Sequence, residues 1–183
     1  MRDPEIRNIL HSYLSVKNNH IEETIIVDEL NIKNGLARID VAVINGSIHG
    51  YEIKSEVDTL NRLESQMLYY NSSLEKISIV VNPKHTKNVT KKIPYWWGII
   101  EVDEYENINE IREAEDNNYL IILDALTFLW KNELVNIFTK FNIDYKKSWN
   151  RSTLIEVLAE KLGQKILLNE IRQALKLRKN WRN

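Results

Sequence analysis

The sequence predicts an α/β fold: a mixed central sheet flanked by helices, with a helical C-terminal end. Three observations predict it. Two β-branched runs flank Asn45-Gly46-Ser47, a strong hairpin signal. Segments with apolar residues at helical spacing lie on both sides of that hairpin, so strands and helices mix in one unit. From Asp124 onward the pattern is helical only, which places a soft boundary near residue 120.

The elements follow in order. Asp3-Pro4-Glu5 opens a helix: Asp3 can cap, Pro4 fits the first turn, and Glu5 suits the positive end of the helix dipole. Ile6, Ile9, Leu10, Tyr13 and Leu14 continue it at helical spacing, and Asn18-Asn19 ends it. Thr24 to Leu30 reads as a strand, and Asn34-Gly35 as a turn. Leu36 to Ser55 is the hairpin. Thr59 to Asn71 reads as a helix with Leu60, Leu63, Met67 and Tyr70 on one side. Ile77 to Val81 is apolar but for Ser78, as in a buried strand. Lys84 to Lys92 fits a short basic helix, and Trp96 to Ile100 another strand, with Trp96-Trp97 as core or as a packing platform. Helical runs then cover Ala125 to Lys131, Glu133 to Phe141, a capping box at Thr153 to Glu156, and Leu167 to Leu177.

Composition narrows the class. At 183 residues and 43% apolar, the chain can bury a real core. It has no cysteine, which excludes disulfides and thiolate metal sites and points to a reducing, cytoplasmic setting. No apolar run is long enough to span a membrane, and MRDPEIRNIL carries charges where a signal peptide needs an apolar stretch. With five glycines and no phosphate-cradling loop, NTP hydrolysis is not indicated. His11, His20, His49 and His85 lack zinc-ligand spacing, and His49 reads as a surface residue near the hairpin tip. The net charge of −1 hides an asymmetry. Glu101 to Asp116 holds eight acids against Arg112 alone, whereas Arg151 to the end holds eight bases, Arg182 among them, against three acids. A basic end is a phosphate-binding signal, although an ordinary solvated helix face gives the same pattern.

The hairpin carries the chemistry. If Asn45, Gly46 and Ser47 form a three-residue turn, Ala42 faces Gly50, Asp40 faces Glu52 and Arg38 faces Lys54 on one sheet face. Ile39, Val41, Val43, Tyr51 and Ile53 then form the core stripe on the other. A two-residue turn would shift the pairing by one. Facing carboxylates repel, and a hard cation such as Mg²⁺ is the natural group to sit between them. Lys54 points into the same space, and Gly50 leaves room beside the pair. A solvated face on which Lys54 and Arg38 neutralise the acids accounts for the same residues.

At these residues the chain resembles the PD-(D/E)xK nuclease superfamily. Asp40 and Glu52-Ile53-Lys54 stand on adjoining strands between two helices. Within it, LARIDVAVINGSIHGYEIKSEVDTLNRL, IPYWWGIIEV and LKLRKNWR resemble the bacterial sce7726 family over nearly the whole chain. The resemblance implies a restriction-endonuclease-like αβββαβ core over residues 1–120 and a helical extension over 121–183. It implies a metal-dependent nuclease acting on DNA in repair, recombination or defence, with Asp40, Glu52 and Lys54 catalytic. Asp40, Glu52 and the Ile53 carbonyl would hold Mg²⁺ or Mn²⁺, with Glu5 as a further ligand and Glu29 as its rival. Gln66 and Tyr70, four residues apart on one helix face, would support the site or contact nucleic acid; an exposed polar residue and a core aromatic are their plain readings. Ile39 departs from the superfamily's proline before the first acid.

Two other classes compete. A non-catalytic nucleic-acid-binding module would use the basic C-terminal helix and Trp181 to contact phosphates and stack. An interaction subunit of a larger complex would present the acidic stretch from Glu101 to Asp116 to a protein partner.

Overall fold

The computed structural model describes residues 1–179 and 181; Arg182 of the basic end lies outside them. Helix α1 (Asp3–Lys17) forms because Pro4 sets its first turn and Glu5 reaches back to accept the Arg2 N–H at 2.7 Å. Ile6, Leu10 and Leu14 recur every fourth residue and are fully buried. Strands β1 (Ile25–Ile32), β2 (Ala37–Ile44) and β3 (Ile48–Lys54) follow. Then come α2 (Leu63–Ser73), β4 (Lys76–Val81), α3 (Pro83–Thr90), β5 (Gly98–Val102) and β6 (Ile108–Arg112). The helical end consists of α4 (Ile122–Ala125), α5 (Lys131–Lys140), α6 (Arg151–Lys161) and α7 (Gln164–Leu177).

The six strands form one sheet in chain order. Neighbours β1/β2, β2/β3 and β5/β6 are antiparallel, while β3/β4 and β4/β5 are parallel. The mixed α/β class predicted from the sequence is the one observed. Strand β4 has partners on both sides and helices over both faces, so its run of Ile77, Ile79, Val80 and Val81 is wholly buried.

Helix α1 covers one face, packing Ile6, Leu10 and Leu14 on Val41, Val43, Tyr51, Ile53, Val80 and Val102. The opposite face packs on α2, and α6 and α7 join that same core through Leu154, Leu158, Leu167 and Ile171. Among the described residues, no helix is long and apolar enough to cross a membrane.

Four local expectations change, the first being the helix expected over Ala125 to Lys131: α4 ends at Ala125, one 3-10 turn follows and Leu129 is extended. Helix α2 begins at Leu63 rather than Thr59, because Asp58 accepts the Ser55 N–H at 2.8 Å and holds this segment as a turn. Strand β5 begins at Gly98, after the two tryptophans. Trp97 is buried and donates to Asn71 Oδ1 at 2.8 Å, and Trp96 stacks near Tyr119. The acidic stretch contains an extra strand, β6, at the sheet edge. Asp103 organises its turn by accepting the Tyr105 and Asn107 N–H groups, each at 2.9 Å, and charge along an edge strand discourages pairing with other chains.

Candidate functional site

The hairpin has the three-residue turn. Ile44 pairs with Ile48, Ala42 with Gly50 and Val41 with Tyr51, and the Asn45 N–H donates to the Ser47 carbonyl at 3.1 Å. The ladder then ends where the site begins. Asp40 does not pair with Glu52 along the backbone; its Oδ2 accepts the Ile53 N–H at 2.7 Å, so the side chain fills the gap where β2 and β3 part.

A change of phase lies behind this gap. Ile39 packs with Ala42 and Ile44 on the α2 face, while Val41 packs on the α1 face. The core stripe of Ile39 with Val41 and Val43 expected from strict alternation is therefore broken at Asp40. Across the sheet, Glu29 stands at the matching step between the Asp28–Val41 and Leu30–Ile39 pairs, with φ of 57°. Gly50 also has a different role from the one expected. A Cβ there would lie 2.6 Å from Leu74 Cδ1 and 3.0 Å from Ile39 Cγ1, so the glycine makes room for core packing and not for the carboxylates.

Around Asp40 the structure gathers Glu52, Lys54, Gln66 and Tyr70. Glu52 and Lys54 are both buried and form an ion pair at 2.6 Å. Gln66 accepts from Lys54 at 3.2 Å and donates to Glu52 Oε1 at 2.8 Å. The Tyr70 hydroxyl lies 2.7 Å from Glu52 Oε2 and 2.8 Å from the Arg38 carbonyl, and it accepts from Gln66 at 3.1 Å. Burial and the adjacent Glu52 charge push the Asp40 carboxyl up to about 7, against the opposing pull of the Ile53 N–H and Arg7. Burial and Glu52 likewise raise the Tyr70 phenol.

The expected fourth acid is elsewhere. Glu5 is exposed and spends a carboxylate oxygen on the helix start. Glu29 binds Arg7 at 2.8 Å and Arg38 at 2.5 Å. Sequence reasoning missed Asp3 and Arg7. Arg7 donates to the Asp40 carbonyl at 2.6 Å and holds Asp3 at 3.1 Å, and Asp3 lines the cleft above the carboxyl pair. The signal was present, since Asp3 and Arg7 are four apart and share a helix face, but capping supplied another role for Asp3.

The cleft measures about 440 Å³ and is walled by Arg38, Asp58, Arg62, Ser65 and Tyr69 as well as the site residues. Its donor set does not fit a Mg²⁺ or Mn²⁺ ion as it stands. Both oxygens of Glu52 already receive protein donors, and one oxygen of Asp40 accepts the Ile53 N–H. Among the described residues, no group of three or more His, Cys, Asp or Glu side chains is placed to hold a metal.

A different neutral cluster occupies the hairpin end of β3. His49 is half-buried rather than exposed. Its ring stacks on Tyr51 at 4.2 Å, with Nε2 2.9 Å from Ser78 Oγ and Nδ1 3.0 Å from the Tyr51 hydroxyl. Burial, aided by Lys76 and Lys17, pushes its pKa down to about 3, so it stays neutral. The C-terminal arginines are also spent internally. Arg172 pairs with Glu75 at 2.6 Å, Arg178 with Glu133 at 2.5 Å, and Arg151 donates to the Leu129 carbonyl at 2.7 Å.

Fold and site thus describe a mixed α/β protein with a buried, self-satisfied carboxyl–lysine cluster under a polar cleft. The chain belongs to the bacteriophage P4 protein cII family, whose family model matches residues 1–182. Protein cII of Enterobacteria phage P4 is 32% identical over 176 residues, covering 94% of this chain and 64% of that protein. The chain therefore spans less than two thirds of the length of that curated relative. Among solved structures, the SPO1766 protein of unknown function from Silicibacter pomeroyi is similar with a TM-score of 0.44 and 14% identity, over 70% of this chain and 86% of that one.

Family membership corrects the resemblance drawn from the hairpin motif. The chain is a member of the P4 cII family and not of the sce7726 nuclease family. The Mg²⁺-dependent nuclease and hydrolase reading was carried by that resemblance, and it is withdrawn with it. The short D…ExK pattern misled because a buried ion pair braced by Gln66 and Tyr70 uses the same residue types at the same spacing.

Proposed function

We propose that this chain is a non-catalytic nucleic-acid-binding module, on a scaffold whose αβββαβ order is of the restriction-endonuclease-like kind. The cytoplasm, expected from the cysteine-free sequence, is the compartment this reading assumes.

The observation that carries it is a basic rim. Arg38 and Arg62 are exposed at the lip of the cleft. Helix α3 adds exposed Lys84 and Lys87, with Lys91 and Lys92 just beyond its end. The helix is fastened to that lip: Lys92 pairs with Glu64 at 2.9 Å, and Lys84 donates to the Glu56 carbonyl. The cleft floor carries Asp3, Asp40, Glu52 and Asp58, which repel phosphates and leave the rim as their place. In this role Asp40, Glu52, Lys54, Gln66 and Tyr70 hold the rim in position and do no chemistry.

The test is fluorescence anisotropy of a labelled oligonucleotide across a salt series. The wild type should bind at low salt, with affinity falling as salt rises. The Lys87→Glu/Lys91→Glu variant should bind more weakly, with a salt slope lower by about two, roughly one for each phosphate no longer neutralised. Failure of the wild type to bind DNA or RNA at low salt would end this reading.

A further inference from the structure

A second cleft lies on the other side of the turn that links β1 and β2. It measures about 460 Å³, and its lining includes Asn31, Asn34, Phe128, Lys131, Arg151 and Trp181. Asn34 and Gly35 line this cleft, while Leu36, Ala37 and Arg38 line the first one. The two clefts therefore flank one short segment, whose Leu36 and Arg38 side chains are 65% and 62% exposed.

Each wall is held firmly. Lys33 (φ 47°), Asn34 (φ 60°) and Gly35 (φ 89°) follow one another in the left-handed region, which non-glycine residues adopt only when their surroundings enforce it. Here the helical end enforces it: Lys33 pairs with Asp124 at 2.9 Å, and Arg151 donates to Asn34 Oδ1. On the facing wall, the Arg178 guanidinium lies between two indoles, 4.2 Å from the Trp130 ring and 4.8 Å from Trp181. Bonds to Glu133 at 2.8 Å and to the Phe128 carbonyl at 2.9 Å fix that guanidinium in place. The result is a rigid aromatic platform, with partly exposed Trp181 at its outer end and exposed Lys131 beside it.

The chemistry favours a base over a phosphate inside this cleft. Asp28, Glu29 and Asn31 give its polar wall oxygens that accept hydrogen bonds from amino and ring N–H groups, while its arginines are bonded within the protein, Arg151 to Asn34 and the Leu129 carbonyl and Arg178 to Glu133, leaving Lys131 as its exposed cation. Lys131 at the lip and Arg38 across the turn are placed for the backbone on either side. An aromatic platform flanked by cations is the arrangement that takes an unpaired base of a single strand, because bases in a duplex already stack on one another.

We infer that the chain binds single-stranded nucleic acid in preference to duplex, with one base stacked on Trp181 in this cleft and the strand crossing the 34–38 turn toward the basic rim. This rests on the nucleic-acid-binding reading above and adds the strand state and the base site.

The test titrates the full chain with a labelled single strand and with the duplex of the same sequence. The wild type should bind the single strand about tenfold more tightly and lose tryptophan fluorescence on doing so. Trp181→Ala should weaken single-strand binding about tenfold, as loss of one stacked base predicts, and should leave duplex binding unchanged. Trp181→Phe, which keeps a stacking ring, should retain most of the affinity, and Lys131→Glu should weaken the single strand if Trp181→Ala does not fold. Equal binding of both forms, or single-strand binding that neither Trp181→Ala nor Lys131→Glu weakens, overturns the base site while leaving the nucleic-acid reading standing. Absence of binding to either form overturns the nucleic-acid reading itself.

Discussion

The two ends of strand β3 solve the same problem in opposite ways. Near the turn, half-buried His49 with buried Tyr51 and Ser78 forms a polar cluster that stays neutral, with both ring nitrogens of His49 partnered. At the far end, Asp40, Glu52 and Lys54 bring charge into the interior, and Gln66 and Tyr70 are needed to satisfy it. A neutral cluster needs only its hydrogen bonds. A charged one also carries a desolvation cost and a like-charge repulsion, which its donors offset only in part. The raised pKa of Asp40 and the lowered pKa of His49 are two expressions of burial disfavouring the charged form. The charged end should therefore be costly to break and improvable by removing charge, and the neutral end should respond modestly to either.

The largest expected effect is at Glu52. Glu52→Ala leaves the Lys54 ammonium buried with only Gln66 beside it and should cost about 3–5 kcal/mol, read from urea unfolding. A loss as small as that of a surface substitution would mean that the pair is solvated in solution.

Acidity separates the two ends next. The folded-state pKa of Asp40 lies above the ordinary aspartate value of 3.8, so its protonation stabilises the fold, and that gain disappears as pH rises through about 7. His49 has a folded pKa of about 3 against an ordinary histidine value of 6.5, so its neutral form stabilises the fold above that range, and the gain is lost as pH falls toward 3. The two slopes oppose each other between the ordinary aspartate value of 3.8 and the ordinary histidine value of 6.5. Asp40→Asn should stabilise the protein by roughly 2 kcal/mol at about pH 8, less at pH 5, and should steepen the loss on acidification. A constant difference between variant and wild type across that range would show that Asp40 does not titrate as its setting implies.

The smallest effect belongs to the neutral end. Tyr51→Phe removes the hydroxyl bonded to His49 Nδ1 while keeping the stacked ring, and should cost about 1 kcal/mol in thermal unfolding. A cost equal to that of Glu52→Ala would erase the contrast between the two ends.

How much of this was readable varies by element. The hairpin register was legible because Asn45-Gly46-Ser47 names its own turn and the flanking runs alternate. Helix α1 and the helical end were legible because their apolar spacing has one clear period, and strand β4 because its run is almost all apolar. Strand β6 was not, because an exposed edge strand needs no apolar stripe and its charges read as loop. The roles of Arg7 and His49 were hidden for another reason: each depends on a partner far away in the chain, namely Asp40 for Arg7 and Ser78 for His49.

The sequence by itself determined the α/β class, the hairpin and the neighbourhood of Asp40, Glu52 and Lys54, because strand and helix periodicity and a short turn are local properties. Only the tertiary structure decided what that neighbourhood amounts to. The phase change at Glu29 and Asp40 turns the Asp40 side chain into the gap between β2 and β3, and α2 brings Gln66 and Tyr70 onto Glu52. Whether two carboxylates are left open or are already satisfied depends on donors supplied from other elements, and no spacing within one hairpin encodes that.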